Sequence, residues 1–229
     1  MTDFATPPRP APPPPRPQPL RIRGRAPATR FLATLIIAAF ALQLARGATS
    51  DLQRLVDVGA IWHPYIFQRG EYWRLLTAMF LHGGVLHLVM NLLALVQIGA
   101  LYERMFGTPR YVFIYFTSGL LASLTSAFFT RSVSVGASGA IFGILGAFVL
   151  SVWRSPRFRK EPQARSIVNQ LIFWILFNIV VGTQIPQIDM SAHLGGLVVG
   201  LLLGAILPHR TPPPPPPADQ VIDVRPSGE

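Results

Sequence analysis

Several things are scarce or absent in these 229 residues, and each absence removes a class of protein. There is no cysteine, which excludes disulfides, a thiol nucleophile and thiolate metal sites and leaves the redox compartment open. Charge is thin: 13% of residues are charged, against roughly a quarter in soluble domains. The scarcity is also uneven. Six stretches, 31–45, 75–102, 111–130, 132–153, 166–188 and 190–208, contain no Asp, Glu, Lys or Arg; together they make 127 residues, so all 30 charged residues fall in the other 102. A soluble core helix carries charge on its wet face every turn or two, so repeated uncharged blocks of about 18 residues or more exclude a soluble globular domain. Ten-residue segments of alternating polarity are missing too, which disfavours an outer-membrane barrel and leaves an all-α, polytopic membrane protein with six expected spans.

Proline is nearly missing from the middle: 10 of 23 lie in residues 7–27 and 8 in 208–226. The ends, 1–30 and 209–229, therefore read as disordered cytosolic tails around a membrane domain of 31–208, since such composition cannot bury enough surface to order itself. They could dock a proline-binding partner or serve as plain tethers. Residues 31–45 form the shortest span, with a secretory signal peptide as the rival reading. With both termini inside, the inner segments hold 15 of the 20 basic residues, and the outer ones hold only Arg46, Arg54, Arg69, Arg74 and Arg131. That bias follows the positive-inside rule. It accounts for the formal charge of +10 without a nucleic-acid partner, for which no motif is present.

Polar groups inside uncharged spans carry the most information, because a buried group without a partner is costly. Three clusters qualify. In FLHGGVLHLVMNLLAL (80–95), His87 and Asn91 are four apart and share a helical face, with His82 five residues before His87. In VGASGAIFGILGA (135–147), Ser138 stands between Gly136 and Gly139 at the start of an apolar helix, with Phe142 four residues on. In MSAHLGGLVVGLLLG (190–204), His193 is followed at +3, +7 and +11 by Gly196, Gly200 and Gly204. At about 100° per residue these glycines fall on the histidine's own face, forming a groove for a partner helix. A serine at a helix N-terminus has free backbone N–H groups where an oxyanion would form, and His193 could take its proton.

These elements, WRLLTAMFLHGGVLHLVMNLLAL from Trp73 to Leu95, GASGAIFG from Gly136 to Gly143 and AHLGGLVVG from Ala192 to Gly200, resemble the rhomboid family of intramembrane serine proteases. The resemblance covers about residues 31–207 and implies a six-helix rhomboid-like bundle. Also implied is a Ser–His dyad that hydrolyses a peptide bond in or near a transmembrane segment of another membrane protein, without cofactor or metal. Carried over by motif, Ser138 is the nucleophile, His193 the base, and Asn91 with His87 the side-chain part of the oxyanion hole. His82, Phe142, Gly136 and Gly139 would support the dyad or line its cavity, and Gly196, Gly200 and Gly204 would pack helices. The loop 47–74 resembles the family's membrane-dipping first loop. The expected setting is a bacterial inner membrane with the site opening outward.

Other readings have specific weaknesses. A zinc site on His82, His87 and His193 lacks an HExxH sequence, an i, i+4 histidine pair and any intramembrane carboxylate. The soluble GxSxG elbow fails because position 140 is alanine. A transporter would be expected to carry intramembrane charge or visible repeats. A catalytically silent relative that escorts membrane helices is the alternative, and loss of Ser138 or His193 would be its mark. The nearest acid to His193 is Asp189, which reads more readily as a solvated loop charge than as an orienting partner.

Overall fold

A computed structural model describes residues 24–185 and 188–208. The proline-rich tails lie outside the described residues, apart from 24–30. Among the described residues the secondary structure is helical, with one isolated antiparallel bridge between Ile61 and Ser134. In chain order the helices are α1 (Pro27–Ala45), α2 (Leu52–Asp57), α3 (His63–Phe67), α4 (Arg74–Thr77), α5 (Val85–Ala94), α6 (Ala100–Phe106), α7 (Thr108–Phe129), α8 (Ser138–Arg154), α9 (Pro156–Lys160), α10 (Pro162–Gln184) and α11 (Met190–Ile206). A 3-10 turn, Ala78–Phe80, follows α4, and a π turn, Leu95–Gly99, joins α5 to α6 into one segment.

Among the described residues, four segments are long and apolar enough to cross a bilayer: α1, α5 to α6, α7 and α10. The other two apolar helices, α8 and α11, have 17 residues each, or about 25 Å against a hydrocarbon core of about 30 Å. They are the two that carry Ser138 and His193.

Helix boundaries depart from the uncharged stretches for local reasons. α1 begins at Pro27 because proline suits the first turn and because the buried Glu103 carboxylate covers the helix start. Glu103 accepts from the N–H groups of Ala28 and Thr29 at 3.0 and 2.9 Å and from the Thr29 and Thr108 hydroxyls at 2.7 Å each. The 28-residue stretch 75–102 does not form one helix. It passes through α4, the 3-10 turn and a bend at Gly84 (φ +150°) before α5 starts, then runs on past Glu103 and Arg104. The stretch 132–153 likewise becomes helical only at Ser138, after Gly136 at φ +131°, a backbone conformation that side chains rarely tolerate.

α8 lies at the centre. Every residue from Gly139 to Phe148 is buried, as expected for a helix apolar on all sides. α10 is its opposite: only Ala164, Leu171, Ile175 and Gly182 are buried, while Phe173, Trp174, Leu176 and Phe177 are exposed. The first loop is fixed by Arg74, whose buried guanidinium pairs with Glu71, donates to the carbonyls of Val56 and Ala60 and lies against the rings of Tyr65 and Trp73. The His63 ring ties the same loop to the Ala127 carbonyl of α7 at 2.7 Å.

Candidate active site

Ser138 is the first residue of α8, preceded by Ala137, and among the described residues no side chain caps the helix. The N–H groups of its first turn are therefore free of intrahelical partners and point toward the space before the helix. The Ser138 hydroxyl oxygen lies 2.8 Å from Nε2 of His193, 55 residues later on α11. His193 is 8% exposed. Its ring stacks on Phe142, one turn along α8 from the serine, with centroids 4.4 Å apart and planes 16° from parallel. The imidazole is thus held by an aromatic face on one side and by the serine at its tip. Nδ1 is buried and has no partner among the described residues.

His87 approaches the same point. Its Nδ1 accepts from the Gly83 N–H at 3.3 Å, which assigns the ring proton to Nε2. A Cβ built on Gly136 would lie 2.9 Å from His87 Nε2 and 3.7 Å from the Ser138 oxygen. The missing side chain at Gly136 is what lets the His87 donor edge stand next to the serine. Asn91 is buried on the same face of α5; one amide N–H goes to the His87 carbonyl at 2.9 Å and its oxygen has no partner among the described residues. That leaves one N–H of the amide for another acceptor. His82 is fully buried, edge-on to His87 at 5.1 Å, and its backbone is clasped by the Gln43 amide at 3.0 and 2.9 Å. It packs against His87 rather than against the Ser138–His193 pair.

The glycine groove forms a seam between α11 and α8. A Cβ at Gly196 would lie 2.0 Å from the Gly139 carbonyl oxygen, one at Gly200 1.9 Å from that of Gly143, and one at Gly204 2.8 Å from that of Ala147. The spacing of four on both helices is ridge packing with no side chains between the backbones. Gly139 has a second tight neighbour, with its Cβ position 2.5 Å from the Cβ of Ala122 on α7.

A model of the Rhomboid domain matches residues 69–210, which include every residue of this site. The chain belongs to the rhomboid family. It is 41% identical over 177 residues to "Rhomboid protease GluP" of Bacillus subtilis (strain 168), covering 77% of this chain and 34% of that one. It is 38% identical over 161 residues to "RHOMBOID-like protein 6, mitochondrial" of Arabidopsis thaliana, covering 70% and 50%. With "RHOMBOID-like protein 1" of the same plant it shares 40% over 153 residues, covering 66% and 39%. The chain thus spans about a third to a half of the length of these relatives. Family and apolar helices together make it an integral membrane protein.

Sequence reasoning missed one part of this rhomboid site. Asp189 is not a solvated loop charge. It caps α11, accepting from the Ala192 N–H at 3.1 Å, and it accepts from two hydroxyls of α7 and its end, Thr130 at 2.8 Å and Ser126 in a shorter contact. Burial pushes this carboxyl upward, but the hydroxyls of Ser126, Ser134 and Thr130 and the Ala192 N–H hold it below its ordinary value. Asp189 therefore fixes the start of the helix that carries His193 without touching the imidazole tip. An Asp immediately before an apolar helix is an N-cap signal, but its hydroxyl partners 59 and 63 residues away leave no local trace.

Proposed function

We propose that this chain is an intramembrane serine endopeptidase that cuts membrane proteins in or near a transmembrane segment. The observation that carries the reading is the 2.8 Å contact between Ser138 and His193 at the uncapped start of α8. In this mechanism His193 Nε2 takes the hydroxyl proton as the serine oxygen attacks the substrate carbonyl. The developing oxyanion is met by the free N–H groups of the first α8 turn, by His87 Nε2–H and by the remaining Asn91 N–H. His193 then gives its proton to the leaving amine. A water molecule, activated by the same nitrogen, hydrolyses the acyl-enzyme and returns the proton to Ser138.

In this account α8 and α11 join the four longer segments as six spans, with both termini cytosolic. That orientation puts Ser138 and His193 near the outer face, where a helix of about 25 Å starts below the edge of a core of about 30 Å. Shortness then serves chemistry, because it places the nucleophile within reach of a membrane-buried peptide bond. The same orientation puts the tails inside as tethers.

Incubating the purified full chain with a single-span substrate tests the proposal. Wild type is expected to cleave and Ser138→Ala to be inactive. Equal cleavage by both would remove Ser138 as nucleophile, and abolition of cleavage by a chelator would point to a metal instead.

A further inference from the structure

The end of the bundle opposite Ser138 has its own organisation. Residues 154–165, joining α8 to α10, contain five basic residues and one acid, Glu161. The two ion pairs among the described residues, Arg54 with Asp51 and Arg74 with Glu71, lie elsewhere. Arg165 spends Nε on the Arg159 carbonyl at 2.9 Å, which leaves both terminal nitrogens of its guanidinium for other acceptors.

Two hollows meet at Arg165. One, about 540 Å³, is lined by Lys160, Arg165, Ser166, Asn169, Gln170 and Phe173, among others. The second, about 390 Å³, is bordered by Trp153 and Arg159 and shares Arg165 and Asn169 with the first. The part of the first hollow that α10 lines is ordered along that helix. Arg165 comes first, then the neutral polar groups of Ser166, Asn169 and Gln170, then Phe173. This ladder rises about 12 Å, more than the interfacial layer of about 7 Å on each side of a bilayer. Its cationic end would stand among headgroups and its aromatic end among acyl chains. Trp153 and Phe173 flank the hollows and are 62% and 59% exposed, as residues facing lipid would be.

We infer that the groove between α9 and the start of α10 is a binding site for one anionic phospholipid. Arg165 and Lys160 meet the phosphate, Asn169 and Gln170 the glycerol and ester region, and Phe173 an acyl chain. Charge bias at the inner face would explain the cations alone. It would not explain a hollow whose lining changes from cationic to polar to aromatic in the order of a lipid molecule. The inference needs only that α8 and α10 cross a bilayer, and it is independent of the chemistry proposed for Ser138.

Native mass spectrometry of the full chain in detergent, titrated with dioleoylphosphatidylglycerol, provides the test. Specific adducts are expected, with dioleoylphosphatidylcholine binding at least about tenfold more weakly. Arg165→Gln should weaken phosphatidylglycerol binding about tenfold, the value of one charge-assisted contact of about 1.4 kcal/mol. The charge-neutral Asn169→Leu should also weaken it, whereas Arg131→Gln, at the other end of the bundle, should leave it unchanged. Equal binding of the zwitterionic lipid would overturn the inference. So would an equal loss in Arg131→Gln, or an Asn169→Leu variant that binds like wild type, since both indicate general charge attraction. Displacement of the lipid by millimolar inorganic phosphate would replace the lipid with a free anion as occupant.

Discussion

The seam between α8 and α11 gives the sharpest structural prediction, and Gly196→Ala addresses it most directly. The new methyl carbon would lie 2.0 Å from the Gly139 carbonyl oxygen, 2.8 Å from its carbon and 3.2 Å from its Cα, all backbone atoms of α8. No side chain can rotate away, so α11 must retreat by roughly 1 Å before the contact becomes even tight. A retreat of that size stretches the 2.8 Å Ser138–His193 contact beyond hydrogen-bonding range. Misplacement by about 1 Å costs on the order of 100-fold in rate, and overpacking costs about 1–3 kcal/mol in stability. Gly195→Ala is the comparison: its three nearest atoms belong to the Thr125 side chain on α7, where the hydroxyl at 2.6 Å and the methyl at 3.0 Å can turn aside and Cβ at 2.8 Å asks for a smaller shift, away from α8. Cleavage of a single-span substrate, with thermal unfolding in the same detergent, should show Gly196→Ala about 100-fold slower and Gly195→Ala much less impaired. Full activity in Gly196→Ala, or the reverse ranking, would refute close backbone packing as what holds Ser138 and His193 together.

Three further outcomes follow from the site. Asn91→Ala should lower the cleavage rate by on the order of 10- to 1,000-fold with little change in unfolding temperature, as removal of one oxyanion donor does; full activity would make Asn91 purely structural. Gly136→Ala places a methyl 2.9 Å from the His87 ring on a backbone at φ +131°, so it should reduce both activity and unfolding temperature, and wild-type behaviour would contradict the His87 placement. Asp189→Ala removes a helix cap worth about 1 kcal/mol and leaves the Ser126 and Thr130 hydroxyls unpaired, for a total of about 2–4 kcal/mol, whereas Asp189→Asn should retain much of the cap. Because this carboxyl is held below its ordinary value, its contribution is complete above about pH 4 and is lost as the pH falls through the lowered pKa; an Asp189→Ala deficit that did not shrink in acid would contradict the assignment.

What was legible in the sequence follows physical range. The pairing of Ser138 with His193 could be anticipated because a Ser between glycines and a His heading a glycine face are local patterns, and helical periodicity carries them into three dimensions. The same periodicity marked the groove, although only the structure gives its register of Gly196, Gly200 and Gly204 against Gly139, Gly143 and Ala147. Counting uncharged residues located the apolar helices but not their ends, and four of the six stretches lie largely in helices long enough to cross a bilayer. α1 starts at Pro27 under the cap of Glu103, 74 and 75 positions away from the residues it covers. α8 starts six residues into its stretch because of Gly136. The Gln43 clasp on His82 and the Asp189 hub are equally long-range and polar, and such pairings have no period to reveal them.

The most direct test of the central claim is labelling with a fluorophosphonate, which reacts with an activated serine and needs no knowledge of the substrate. Wild-type protein should be labelled, while Ser138→Ala should not react and His193→Ala should react far more slowly. Labelling that persists in Ser138→Ala, or its absence from folded wild type, would contradict an activated Ser138–His193 pair.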